Sequence, residues 1–283
     1  MRGKSVALVF ERPSTRTRVS FQVGVEELGG NPVSLSAAEL QLGRGETIED
    51  TGMVLSRYVH AIAARVNRHE DLERLAKAAS VPVVNGLSDL HHPVQILADL
   101  LTIQERKGPV KGLKIAWVGD GDNVCNSWAI GAALSGARLM IATPAGFEPS
   151  KNAIKEARSI SELTGASVTL VRDPAEAARG ADCVITDTFV SMGAEAEKEK
   201  RMKAFFPVYR VDRKLMSIAK KGAMFLHCLP AHRGEEVTGE VIDGPNSAVF
   251  DEAENRLHTE KALLCYLMLG RLRTSRSPKQ LRV

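Results

Sequence analysis

Short apolar runs alternate with longer segments of helical period along most of the chain. Runs at 5–10, 32–35, 61–64 and 81–84 read as strands, and the segments 17–28, 47–58 and 70–79 between them repeat their apolar residues at helical spacing. Thr47 is placed to cap the second of these helices. A long helical pattern at 93–106 follows, and Lys107-Gly108-Pro109 ends it. The alternation then restarts, with strands at 113–118, 139–142, 167–171, 183–186, 224–227 and 248–250. Helices fall at 123–134, 151–164, 174–180, 198–204 and 212–219, and a last apolar helix at 254–272 is long enough to pack back on the first part. Alternation of this kind predicts parallel sheets covered by helices on both faces. The expected fold is α/β, with two doubly wound parallel-sheet domains joined by two long helices. Their spans are 1–107, completed by the helix 254–272, and 108–253, with a basic tail at 273–283. Such a pair makes a hinged interdomain cleft, which is where the active site is expected.

Ligands of open α/β sheets bind beyond the carboxyl ends of the strands. The loops at those positions hold nearly all of the unusual chemistry in the chain. Ser14-Thr15-Arg16-Thr17-Arg18 follows the first strand and opens a helix, so hydroxyls, backbone N–H groups and two guanidinium groups gather at a positive helix end. That is a pocket for a phosphoryl group, and it is not a nucleotide P-loop, because no G-x-x-x-x-G-K-[ST] run is present. Taken alone, the same five residues also fit an N-capped helix with two solvated arginines.

Composition narrows the setting. With 283 residues, 44% hydrophobic and 25% charged, the chain can bury two cores. Its longest strongly apolar stretch, 262–269, is too short to span a bilayer, and the first residues lead into a strand without a signal-peptide pattern, so a cytoplasmic protein is expected. Cys125, Cys183, Cys228 and Cys265 form no C-x-x-C pair and read as thiols. The net charge of +4 is spread along the chain, which argues against a nucleic-acid partner. The basic residues after Arg271 read as a solvated terminus.

Gly119-Asp120-Gly121 after a strand invites a dinucleotide reading, but the third glycine position is Val124 and no ribose-binding acid follows the next strand. Asp122 and Asn123 at that turn fit either a polar substrate or an Asx cap. His91 and His92 are adjacent and make a poor chelating pair, with no third ligand at metal spacing. His92 and Gln95, flanking Pro93 at a helix start, can donate to a carbonyl or phosphate oxygen; His92 also suits a cap. Cys228 and His227 are neighbours on a strand and face opposite ways, which argues against a nucleophile and its base. Asp187 with Ser191 suits an ammonium group, and Arg65 and Arg256 add positive charge for a small dianion.

The motif set resembles the aspartate/ornithine carbamoyltransferase superfamily. The matching runs are Phe10-Glu11-Arg12-Pro13-Ser14-Thr15-Arg16-Thr17-Arg18, His92-Pro93-Val94-Gln95, Asp187 through Ser191-Met192-Gly193, His227-Cys228-Leu229-Pro230, and Glu254-Asn255-Arg256-Leu257-His258-Thr259. Ser-Met-Gly and His-Cys-Leu-Pro resemble the ornithine branch. The resemblance implies that carbamoyl phosphate is held by Ser14, Thr15, Arg16, Thr17, Gln41, Arg65, His92, Gln95 and Arg256, with Cys228 and the Leu229 backbone at its carbamoyl end. It implies ornithine on Asn123, Asp187, Ser191 and Met192. Catalysis would fall to Arg16, Arg65, His92 and Cys228, with no covalent intermediate, no metal and no cofactor.

The resemblance also implies a homotrimer or an assembly of trimers, with the segment around Gln41 approaching a neighbouring site. The family carries about one long helix before its first strand, whereas Met1 here stands almost at that strand, so apolar surface is expected near 262–269. Phe189 stands where the family often has Trp, which implies a packing difference. Carbamoyl transfer to putrescine or an acylated ornithine is the nearest alternative, and a catalytically silent binding subunit is another.

Overall fold

In a computed structural model, residues 1–36, 38–41, 45–191, 193 and 195–269 are described. Met192, the tail 273–283 and the end of the expected helix at 270–272 lie outside them. Contacts divide the chain into two compact units: Met1–Ala64 with Glu73–Val84 and Leu257–Val283, and Arg65–Leu72 with Asn85–Arg256.

The first unit is built on strands β1 (Ser5–Phe10), β2 (Asn31–Ser36), β3 (Ala61–Arg65) and β4 (Val83–Leu87), in the sheet order β2-β1-β3-β4. β1 pairs with β2 in parallel, Ser5 opposite Asn31 through Phe10 opposite Ser36. A central strand needs apolar residues on both faces, and Val6, Ala7 and Leu8 are fully buried. Helices α1 (Thr15–Glu27), α2 (Ile48–Tyr58) and α3 (His69–Ala78) alternate with the strands. Thr47 caps α2 through its hydroxyl, which accepts from the Asp50 amide at 3.0 Å. α1 buries Phe21 and Val25. Across its other side runs the second half of helix α11 (Val249–Leu269), where Ser20 Oγ donates to Glu260 Oε2 at 2.6 Å and Lys261 pairs with Glu27. Tyr266, Leu267 and Leu269 of α11 are exposed, in the region where apolar surface is expected.

The second unit carries β5 (Lys114–Val118), β6 (Arg138–Ala142), β7 (Ser167–Val171), β8 (Cys183–Thr186) and β9 (Met224–His227), in the order β7-β6-β5-β8-β9. All of its described pairings are parallel. One face of this sheet buries Ile115, Trp117, Ile185 and Leu226, and the other buries Val118, Val184, Phe189 and Phe225, as alternation along a doubly covered strand requires. Phe189 stacks on Phe205 at 5.0 Å between ring centroids, so this aromatic position serves packing. Helices α4 (Pro93–Lys107), α5 (Asn123–Ser135), α6 (Lys151–Thr164), α7 (Pro174–Ala178), α8 (Lys198–Phe205), α9 (Arg213–Ile218) and the short α10 (Gly239–Ile242) cover it.

By its contacts, helix α4 groups with this unit. The reason is its packing on α5, where Gly131 brings the helices so close that a Cβ there would lie 2.4 Å from Ile96 Cγ2. The strand expected at 248–250 is instead the entry to α11, which begins at Val249. A three-residue apolar run has no period of its own, and Asp251 and Glu252 in the first turn favour a helix start.

Candidate active site

The Ser14–Arg18 run, expected to hold a phosphoryl group, lies wholly within the first unit. Ser14 is the N-cap of α1, in extended conformation, and its Oγ accepts the Thr17 amide at 3.3 Å. The remaining first-turn N–H groups point out of the helix end. No acidic residue occupies that first turn, whereas α2 and α3 each carry two acids in theirs. The positive end of α1 is therefore left to be balanced by an anion. A cavity of about 620 Å³ adjoins it, lined by Phe10, Pro13, Ser14, Thr15 and Arg18 among others, with Ser34 and Ser36 of β2 opposite. Thr17 is buried, Arg16 half-buried, and Gln41 exposed.

In the second unit, the loops at the strand ends converge. Gly119 follows β5 at φ +138°, where a side chain would be strained, and Thr186 Oγ1 stands 3.2 Å from where its Cβ would be. Asp122 is the N-cap of α5, its Oδ1 accepting the Val124 amide at 3.1 Å. The cap reading of this turn thus holds, and the other Asp122 oxygen accepts Ser191 Oγ at 3.1 Å. Asn123 Nδ2 donates to Ser88 O at 2.7 Å. Ser127 Oγ donates to Asn123 O and accepts the His92 amide, both at 2.8 Å. His92 sits at the N-cap of α4 but makes no side-chain cap bond, so its imidazole does not serve the helix end.

Cys228 Sγ donates to Asp187 Oδ1 at 3.2 Å, while His227 Nδ1 accepts the Leu229 amide at 2.9 Å and its Nε2 faces Glu236 Oε1 at 3.3 Å. Burial, together with Asp187 and Glu252, holds the Cys228 thiol well above its ordinary range. It is a neutral thiol and a poor nucleophile. Leu229 has φ 58°, the one positive value at a non-glycine residue among the described residues, a conformation that costs on the order of 1–2 kcal/mol. Burial also raises Asp122, as do Asp187 and Asp120 beside it. Arg201 pairs with Asp120, and the cluster of Asp120, Asp122 and Asp187 favours an added ammonium.

A third set surrounds Gln95. Its Oε1 accepts Arg256 Nη1 at 2.8 Å, and its Nε2 donates to Asp99 Oδ1 at 2.8 Å and Glu252 Oε1 at 2.9 Å. Gln95, Asp99, Glu252 and Arg256 are each at most 2% exposed. Arg65 is half-buried at the end of β3.

The second unit therefore brings together Asp187 with Cys228, Ser191 with the Asp122–Asn123 turn, His92 with Asn123 through Ser127, and Gln95 with Arg256. Ser14, Thr15, Arg16 and Thr17 stand together in the first unit. Sequence reasoning missed Asp99, Glu252, Trp128 and Arg201. Asp99 had one local signal, its place four residues after Gln95 on the same helix face; the other three had none.

Comparison with known proteins adds independent findings. Residues 1–105 match the family described as "Aspartate/ornithine carbamoyltransferase, carbamoyl-P binding domain", and residues 111–267 match its "Asp/Orn binding domain". The ornithine carbamoyltransferase of Pyrococcus horikoshii is 56% identical over 274 residues, covering 97% of this chain and 86% of that protein. The solved structure of the Pyrococcus furiosus ornithine carbamoyltransferase is similar with a TM-score of 0.92 at 54% identity, over 96% of this chain and 86% of that one. An anabolic ornithine carbamoyltransferase from Campylobacter jejuni is similar with a TM-score of 0.91 at 44% identity, over 96% and 89% of the two chains.

Proposed function

Because this chain belongs to the aspartate/ornithine carbamoyltransferase family, we propose how its residues divide the transfer of the carbamoyl group of carbamoyl phosphate to the side-chain amine of L-ornithine, giving L-citrulline and phosphate. Ser14, Thr15, Arg16 and Thr17 hold the phosphate through hydroxyls, the helix end and a guanidinium, and Gln41 and Arg256 add to that side. Arg16, Arg65 and His92 donate to the carbamoyl oxygen, where negative charge grows as the amine attacks. Gln95, Cys228 and the Leu229 backbone line the carbamoyl end.

Asp187 takes the α-ammonium of ornithine, with Asn123, Ser191 and Met192 beside it, and the chain of the substrate carries its terminal amine to the carbonyl carbon. That amine must be neutral to attack. A C–N bond forms, the C–O bond to phosphate breaks with its electron pair leaving on phosphate, and the surplus amine proton is lost. The raised thiol of Cys228 fits this route, since a neutral S–H positions a group without competing as a nucleophile.

The reading rests most on the end of β9. Cys228 there bonds to Asp187, assigned to ornithine, while the preceding amide, of His227, donates to Glu252 Oε2 at 2.9 Å, and Glu252 holds Gln95, assigned to carbamoyl phosphate. Groups for both substrates thus meet around one strand end. The named anabolic relative supports a biosynthetic direction, toward arginine. A cytoplasmic location and assembly as trimers belong to the same reading; exposed Met53, Val54 and Tyr58 on α2 offer apolar surface for such contacts. Citrulline formation from carbamoyl phosphate with ornithine, putrescine and acetylornithine compared side by side is the test. Turnover with ornithine alone is expected, and binding without turnover would overturn the reading.

A further inference from the structure

We propose that Asp99 and Glu252 are positioning residues of this reaction: as a pair they lock the Gln95 amide in one orientation and tie it to the strand end that bears Cys228. The inference rests on the reading that Gln95 faces carbamoyl phosphate.

The pair presents four oxygens, and each accepts a different N–H. Asp99 Oδ1 and Glu252 Oε1 take the two hydrogens of Gln95 Nε2, at 2.8 and 2.9 Å. Asp99 Oδ2 accepts Trp128 Nε1 at 2.8 Å, and Glu252 Oε2 accepts the His227 amide at 2.9 Å. Burial pushes Asp99 up to about 6 and Glu252 well above its ordinary range.

Both Gln95 hydrogens are thereby taken. Flipping the amide would set its oxygen against two carboxyl groups and its NH2 against the Arg256 guanidinium, losing all three bonds. Gln95 is left to offer a bound group an acceptor and not a donor. Placing two acids at 1% exposure carries a desolvation cost that well-packed apolar residues of the same volume would avoid. The cost is understandable if the four converging N–H groups need a fixed acceptor at each point, because an amide or a hydrocarbon cannot supply it.

The test uses near-isosteric amides in the full chain. In Glu252→Gln the new NH2 must face either a Gln95 N–H or the His227 N–H, and in Asp99→Asn either a Gln95 N–H or Trp128 Nε1. One bond of the clamp is lost in each. Steady-state citrulline formation is measured with each substrate varied, beside thermal unfolding. The expected result is a KM for carbamoyl phosphate raised about tenfold to a hundredfold, the range for a lost hydrogen bond to a charged group, with the KM for ornithine within about threefold. Gln95→Met carries a similar penalty, and Glu252→Gln adds little in that background, because residues acting through one another are not additive. A lowered Tm with the carbamoyl-phosphate KM unchanged would show a purely structural pair and overturn the proposal, as would full additivity with Gln95→Met. If Gln95→Met itself leaves that KM unchanged, the placement of Gln95 at carbamoyl phosphate has failed, and the proposal falls with it. Should one amide variant not fold, the other carries the test.

Discussion

Replacing Gly121 by alanine adds one methyl group where the chain has no room for it. A Cβ at this position would lie 2.2 Å from Pro149 N, 2.4 Å from the Glu148 carbonyl carbon and 2.6 Å from Phe147 O. All three are backbone atoms, so no side-chain rotation relieves the overlap. Ordinary contact begins near 3.4 Å, and the segment at 147–149 must therefore move off the turn by about 1.2 Å. That motion pulls on the bond from the Gly121 amide to Phe147 O, now 2.9 Å. It also shifts the two next residues, Asp122, which caps α5 and accepts Ser191, and Asn123. Overpacking of this kind costs about 1–3 kcal/mol. At about 2–4 °C per kcal/mol for a chain of this size, Tm is expected to fall by roughly 2–12 °C. A displacement on the order of 1 Å can cost about a hundredfold in rate, so the KM for ornithine should rise at least about tenfold, with the KM for carbamoyl phosphate moving less than about threefold. Differential scanning fluorimetry and initial rates with each substrate varied read both effects. A Tm within about 1 °C of the parent and an ornithine KM within about twofold would show that this turn neither clamps the segment at 147–149 nor positions the ornithine side.

Arg16→Ala should lower kcat by about a hundredfold to a thousandfold, as expected for losing a charged donor at the developing oxyanion, with the circular dichroism spectrum preserved; near-normal carbamoyl phosphate affinity would count against the assignment. Asp187→Asn should weaken ornithine by about 2–5 kcal/mol, the cost of leaving a buried charge without its partner, and isothermal titration with carbamoyl phosphate present would measure it. The raised Cys228 thiol should react with iodoacetamide at pH 8 more slowly than free cysteine; mass spectrometry showing preferential labelling of Cys228 would refute the burial argument. The Asp99 carboxyl, raised from 3.8 to about 6, binds its proton more tightly when folded. Its contribution to stability is then largest at acid pH and falls as pH rises from about 4 to 6, by on the order of 3 kcal/mol if it titrated alone. Urea unfolding of the parent and of Asp99→Asn across that range should show the parent losing ground with pH, and a gap that stays level or widens in its favour would sink the linkage.

What could be read from the residue order shares one property: its physics is local. The cap at Ser14, the acid-free start of α1 and the alternation behind two parallel sheets depend on neighbours within a few positions, and the structure bears out the cap and the sheets. The apolar triplet at 248–250 marks where local reading stops, since a strand and a helix entry use the same three residues and only the long helix after them decides. The Asp99–Glu252 pair lies further beyond it. Gln95 and Glu252 are 157 residues apart in sequence, and an acid in a helix looks like any solvated acid until buried N–H donors converge on it. Most residues assigned to substrate are legible for a physical reason: they sit at strand ends or in the first turn of the helix that follows, where polar runs interrupt an apolar pattern. Residues that hold them in place sit inside helices and interrupt nothing. A chain carrying every motif residue while lacking Asp99 or Glu252 would therefore read as intact, yet its Gln95 amide would be free to turn over, and on the reasoning above it would bind carbamoyl phosphate poorly.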